Sequence, residues 1–286
     1  MGENKISCLN RIFTRNMLRH FIEGKIDNTY STVIRRYIEN ADQKNNQELV
    51  SEIYCELKKN YRNEYFYKNT LLNKLLLGVH SINTTTAFTE MPIAKSKADF
   101  VLINGKAVVY EIKTELDNLE RLNSQINDYY KAFDHVAVVT YEKNIQQLKK
   151  VLDSIGKPVG IYVLKKSGTL SMIRKPEKYA NNLDKEVIFK LLRKREYEDI
   201  IVQKYGYLPE VTQFKYYCVC KEMFFKMDIE ESYSLVLKTI KKRMKIEKEE
   251  FVNIPYELKF LAYFMELTHE DYQKLDIFLK CQYGGV

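Results

Sequence analysis

The chain has no tryptophan, only four histidines and only five cysteines among its 286 residues, and each scarcity removes a class of chemistry. His20, His80, His135 and His269 lie far apart and form no HxxxH spacing, so histidine-based metal binding or nucleophile activation has little to stand on. Cys8, Cys55, Cys218, Cys220 and Cys281 are odd in number and scattered. They lack the paired CxxC spacing of a zinc site and are expected to be reduced thiols in a cytoplasm, with Cys218-Val219-Cys220 read as packing. Arg11, Arg15 and Arg19 interrupt the apolar residues between Lys5 and Ile22, which leaves no uninterrupted run for export or membrane spanning. Low-complexity tracts and internal repeats are also missing.

What is present suits a folded chain of one or two domains. Hydrophobic residues at 45% and charged residues at 29% match globular averages and are enough to build a sizeable core. Lysine and arginine outnumber the acids 46 to 38, and the resulting formal charge of +8 favours polyanionic partners, though it also serves solubility. Ile6, Leu9, Phe13, Met17 and Phe21 recur at three and four and predict one amphipathic helix. Further helices are expected over Ser31–Asn40, Gln47–Lys59 and about Arg62–Leu77, the last closed by Gly78.

The texture then turns to strands at Phe88–Ile93, Phe100–Ile103, Ala107–Lys113 and Val136–Tyr141. Leu119, Leu122, Ile126, Tyr130 and Phe133 predict a sheet-covering helix between the last two. Another helix to about Ile155 leads to a hairpin of Gly160–Leu164 and Leu170–Ile173, and from Leu183 onward the pattern is helical. The expected architecture is α/β: a mixed sheet in α-β-β-β-α-β order with N-terminal helices and a C-terminal helical region. The expected segments are 1–60, 61–178 and 179–286.

One run carries chemistry. Glu90 leads to Asp99, a predicted hairpin, and then Glu111-Ile112-Lys113. Glu111 and Lys113 are two apart on a strand and so share a face. An acid-X-lysine on a strand is by itself usually a solvated face; the order of the surrounding residues gives it weight. Two carboxylates brought together offer hard oxygen ligands for Mg²⁺, with Mn²⁺ as substitute, while Lys113 can stabilise developing charge. The Ile112 carbonyl is a further candidate ligand. A two-residue turn at Asn104-Gly105 would put the carboxylates on opposite faces, so a bulge pairing Leu102 with Lys106 is expected. Gln125 and Tyr129 are four apart on the next helix and share a stripe with Arg121.

Asp99 and Glu111-Ile112-Lys113 resemble the signature of the PD-(D/E)XK nuclease superfamily, with Ala98 where the family usually has proline. Gln125-Ile-Asn-Asp-Tyr129 resembles the QxxxY motif of its RecB-like branch. The segment Lys97 to Thr140 is similar to a group of uncharacterised bacterial proteins of that superfamily. The resemblance implies a restriction-endonuclease-like core and a Mg²⁺-dependent phosphodiester hydrolase acting on nucleic acid, DNA before RNA, in defence against foreign DNA. It implies catalytic roles for Asp99, Glu111, Lys113, Gln125 and Tyr129, and a metal held by Asp99, Glu111 and Ile112 with Glu90 or Glu64, Glu52 and Glu56 standing behind. Arg121, Lys95 and Lys97 become candidate nucleic-acid contacts, and a protein partner or homodimer is compatible with it. The rival expectation is a catalytically silent nucleic-acid-binding or scaffold subunit. The run Lys238, Lys241, Lys242, Arg243, Lys245 and Lys248 suits either phosphate binding or an exposed helix.

Overall fold

A computed structural model describes residues 3–80, 82–243, 246 and 248–284. Lys245 of the basic run and the side chains of Ile6 and Lys248 lie outside the described residues. The N-terminal periodicity does not make one helix. It makes α1 (Glu3–Ile12) and α2 (Arg15–Ile22), because the Thr14 hydroxyl accepts a hydrogen bond from the Met17 amide at 3.3 Å and caps a new start. Helices α3 (Asn28–Tyr37) and α4 (Asn46–Asn60) follow, each capped by the Asp or Asn before it. The last expected helix of this region splits into α5 (Glu64–Leu71) and a π-helical turn, Leu72–Leu77.

Six strands come next with their helices. They are β1 (Thr86–Ile93), β2 (Ser96–Asn104), β3 (Lys106–Ile112), α6 (Leu122–Tyr129), β4 (Val136–Thr140), α7 (Ile145–Ile155), β5 (Gly160–Leu164) and β6 (Leu170–Arg174). The sheet order is β1-β2-β3-β4-β5-β6, antiparallel from β1 to β3 and parallel from β3 to β5. The remaining helices are α8 (Lys185–Lys190), α9 (Lys194–Tyr205), α10 (Gln213–Phe225), α11 (Ile229–Ile240), α12 (Lys248–Val252), α13 (Lys259–Phe264) and α14 (His269–Lys280). The expected mixed α/β sheet is thus present. No helix among the described residues is long and apolar enough to cross a membrane.

Where three consecutive segments were expected, the chain forms two compact units. One comprises 1–82, 165–170 and 245–286, and the other 83–164 and 171–244. The first unit is helical and joins distant parts of the chain. Buried Asn46 donates to the carbonyls of Phe278 at 3.0 Å and Cys281 at 3.1 Å and accepts from the Tyr30 hydroxyl at 3.1 Å, while Phe21 stacks on Phe278. Because Asn46 is almost fully buried, its satisfied amide costs little, and the three bonds fix α14 against α3 and α4.

The second unit holds the sheet. One sheet face, with Val101, Ile103, Ala107 and Val109, packs on Leu122, Ile126 and Tyr129 of α6 and on the helices after β6. All five β4 residues are buried, as expected for a central strand with parallel neighbours.

Candidate functional site

The β2–β3 hairpin decides whether the carboxylates meet. Neither expected register forms: Ile103 pairs with Ala107 and Asn104 with Lys106, leaving Gly105 at the tip. Gly105 has a φ of 70°, a conformation that disfavours any side chain with a Cβ, so the glycine is what lets the turn close this tightly. The paired register runs without a bulge to Phe100 opposite Tyr110. One step further, Asp99 stands across from Glu111, on the same face.

On the other side of β2, Thr89 pairs with Phe100 and Met91 with Ala98, which sets Glu90 across from Asp99. Glu90 has a φ of 54°, in the left-handed region that a residue with a Cβ seldom adopts. Glu90, Asp99 and Glu111 therefore occupy one row across three strands. The Asp99 carboxylate accepts the Ile112 amide at 2.7 Å, tying the row together beyond the last ladder pair, and the Thr89 hydroxyl donates to the Asp99 carbonyl at 2.9 Å.

Glu111 is buried to 2% exposure, and α6 supplies its partners. Its Oε1 accepts from Gln125 Nε2 at 2.5 Å and pairs with Lys113 Nζ at 2.9 Å; its Oε2 accepts from the Tyr129 hydroxyl at 2.5 Å. The lysine also donates to Gln125 Oε1 at 3.0 Å, so the one amide joins both members of the ion pair. Tyr129 lies 3.0 Å from the Lys97 carbonyl as well, but its single proton is best used by the nearer carboxylate. Burial, followed by the Glu111 charge, holds the Tyr129 phenol well above its ordinary pKa, so it remains a donor. An ionised carboxylate offers roughly four acceptor positions, and these partners take three of Glu111's.

The lysine is held from behind. Its amide donates to Val139 on β4 at 2.8 Å, and its carbonyl accepts from the Thr140 hydroxyl at 3.0 Å, which in turn accepts from Asn144 at 2.9 Å. Thr114 then donates its amide and hydroxyl to Asp117 Oδ2 at 2.8 and 2.7 Å, ending the strand. A fixed ammonium beside a fixed carboxylate at the end of a parallel strand can stabilise negative charge on a bound group without reorganising.

The expected site residues divide cleanly. Asp99, Glu111, Lys113, Gln125 and Tyr129 come together. Glu90 joins the row, but its carboxylate also pairs with Lys97 at 2.8 Å. The side chain of Ile112 is buried, and its amide donates to the Asp99 carboxylate. Arg121 caps the start of α6 with its side chain exposed, and its carbonyl accepts the Gln125 amide at 3.0 Å. The Lys95 side chain is exposed, while its amide donates to Asp128 at 3.2 Å. Glu64 belongs to the first unit, as do Glu52 and Glu56, and they pair with Lys68, Lys44 and Lys59 respectively.

Sequence reasoning missed Asp128. Its Oδ2 accepts from the Lys95 amide and from the Ser96 hydroxyl at 2.9 Å, and Oδ1 pairs with Lys131 at 2.8 Å. Burial would raise this carboxyl, but the bonds from Lys131 and Ser96 outweigh it and hold its pKa below the ordinary value. Asp128 thereby clamps the β1–β2 turn, where Ala94 has a φ of 52°, to the helix that carries Gln125 and Tyr129. Thr140 and Asn144 were also missed, although their spacing of four was available.

The family model described as bacteriophage P4 protein cII matches residues 57–262. Protein cII of Enterobacteria phage P4 is 25% identical over 192 residues, which cover 66% of this chain and 67% of that protein. No solved structure matches. The family match overturns the resemblance to PD-(D/E)XK nucleases, and with it the expected nuclease activity and the role in defence against foreign DNA. Short motifs misled because an acid, a hairpin and an acid-X-lysine can recur wherever a buried ion pair closes a strand. With the match spanning most of the chain, the protein belongs to the bacteriophage P4 protein cII family.

Proposed function

We propose that the second unit of this phage P4 cII-family protein is a divalent-cation site, with Mg²⁺ as the physiological ion, and that the site is enzymatic. The observation that carries this reading is the row Glu90, Asp99 and Glu111 beside the fixed ammonium of Lys113. The donor set fits a hard cation, since carboxylate oxygens are what Mg²⁺ and Mn²⁺ select. Asp99 and Glu111 would hold the ion, and Glu90, whose strained backbone turns it out of the ladder, would complete the set.

When bound, such a cation supplies Lewis-acid polarisation of an anionic oxygen and activates water, the chemistry of metal-assisted hydrolysis. The chain's own residues supply orientation and charge. Gln125 and Tyr129 hold Glu111 in place, and the Lys113 ammonium is held by Glu111 and Gln125 while Val139 and Thr140 fix its backbone. The formal charge of +8 supports an anionic partner.

Calorimetric titration of the full chain with Mn²⁺ and Mg²⁺ tests the site. Saturable binding is expected, weakened about tenfold or more in Asp99→Asn and in Glu111→Gln, the scale of losing one charged ligand contact. Wild-type protein that takes up neither ion, or variants that bind as well as wild type, would leave the carboxylate row as packing alone.

A further inference from the structure

A second cluster lies away from the carboxylate row, where α6 ends and β5 begins. Lys157 precedes β5, and its ammonium sits over two aromatic rings, 5.4 Å from the centroid of Tyr130 and 5.5 Å from that of Tyr179. Its hydrogen bond goes to the amide oxygen of Asn127, a neutral group. Among the described residues it has no carboxylate partner. Lys131, whose charge acts on it, is paired with Asp128, and burial, followed by that like charge, lowers the Lys157 pKa.

Two further donors here are left over. The hydroxyl of Tyr130 is buried and has no hydrogen-bond partner, although the residue is 0% exposed. Arg174, at the end of β6, spends Nε on the Val159 carbonyl at 2.7 Å and Nη1 on Asp153 at 3.2 Å, while Nη2 is buried without a partner. The Arg174 charge is close enough to Tyr130 to act on its phenol, and the Tyr130 and Tyr179 rings meet edge to face at 5.1 Å. Asp134 lies near enough to act on the Tyr130 phenol, and its Oδ1 is shared by the Tyr233 hydroxyl and His135, each at 2.8 Å. Buried polar groups almost always find partners, so two unpartnered donors beside an unpaired ammonium mark a place for an acceptor the chain does not provide.

We infer that Lys157, Arg174 and the Tyr130 hydroxyl form a binding site for a small oxyanion of the phosphate class. Two guanidinium protons, the phenol proton and the remaining ammonium protons are all donors, and an oxyanion is the ligand that accepts from all of them. The burial of Tyr130 and of Arg174 Nη2 restricts the ligand to a free ion, since a phosphate carried on a larger group would reach only the partly exposed Lys157.

The full chain, melted in rising inorganic phosphate with chloride held to constant ionic strength, reads this directly. A saturable rise in Tm is expected in wild type and in Lys157→Arg. The apparent affinity should fall about tenfold or more in Lys157→Gln, Arg174→Gln and Tyr130→Phe, the scale of one charged hydrogen bond. Should Lys157→Gln or Arg174→Gln fail to fold, Lys157→Arg and Tyr130→Phe still decide the matter through the broadening of the phosphate ³¹P signal. Phenyl phosphate should give no saturable response. Absence of any phosphate response would mean that water alone satisfies Tyr130, and equal binding in all variants, or equal binding of phenyl phosphate, would equally overturn the site.

Discussion

Replacing Lys113 with methionine should cost stability and not only function, because the ammonium it removes neutralises a carboxylate that has almost no access to water. Glu111 and Lys113 side chains are 2% and 9% exposed and stand 2.9 Å apart. Removing one member of a buried pair leaves the other charge uncompensated, typically at about 3–5 kcal/mol. Gln125 and Tyr129 would still donate to Glu111, so the lower end, about 3 kcal/mol, is the expected loss. In urea, where the slope for a domain of this size is about 1–3 kcal/mol per molar, that moves the unfolding midpoint down by roughly 1–3 M. Circular dichroism with EDTA present would follow it without interference from bound cations. The double variant Glu111→Gln, Lys113→Met keeps a hydrogen-bonded amide where the carboxylate stood and removes both charges. It should recover about 2 kcal/mol relative to the sum of the single losses. A Lys113→Met midpoint within about 0.5 kcal/mol of wild type, or strict additivity in the double variant, would show that the pair is not electrostatically coupled and that the packing argument is wrong.

Asp128→Ala removes three acceptor contacts from the β1–β2 clamp and should cost about 2 kcal/mol, with faster hydrogen exchange at the Lys95 amide as its local signature. Gly105→Ala meets no neighbour within 4 Å, so its expected cost of about 1 kcal/mol is pure backbone strain; a thermal melt unchanged from wild type would mean that the turn relaxes. The pH dependence has two arms. Tyr129 is held protonated in the fold by burial and by Glu111, so its contribution is complete below the ordinary value of 10.0 and is lost as pH rises beyond it. Tyr129→Phe should flatten that alkaline limb. Asp128 and Asp134 are shifted the other way: burial alone would raise both, but their hydrogen bonds, from Lys131 and Ser96 and from His135 and Tyr233, prevail. Their contribution is present above the ordinary 3.8 and lost as pH falls further, and Asp134→Asn should blunt the acid limb of a melting series.

How much of this was legible in the sequence depends on the range of the interaction that set each feature. Strands β1 to β4 and the positions of Glu111, Lys113, Gln125 and Tyr129 followed from periods of two and about four, which are local properties of the backbone. The hairpin register did not, because Asn104-Gly105 admits more than one closure; the closure observed, with Gly105 alone at the tip, brings Asp99 opposite Glu111 without the bulge that the other registers needed. The left-handed backbone of Glu90 has no signature in composition. The two-unit organisation was least legible, because contacts such as Asn46 to Phe278 and Cys281 join residues more than two hundred positions apart, and no local pattern encodes which distant segment completes a helical core. The same logic explains why the nuclease resemblance misled. A carboxylate, a lysine and a Gln/Tyr helix face are enough to build a satisfied buried ion pair, and three of the four acceptor positions on Glu111 are filled by the chain itself. Whether the fourth takes a cation turns on how Asp99 and Glu90 share their row, which is a matter of three-dimensional register and not of motif.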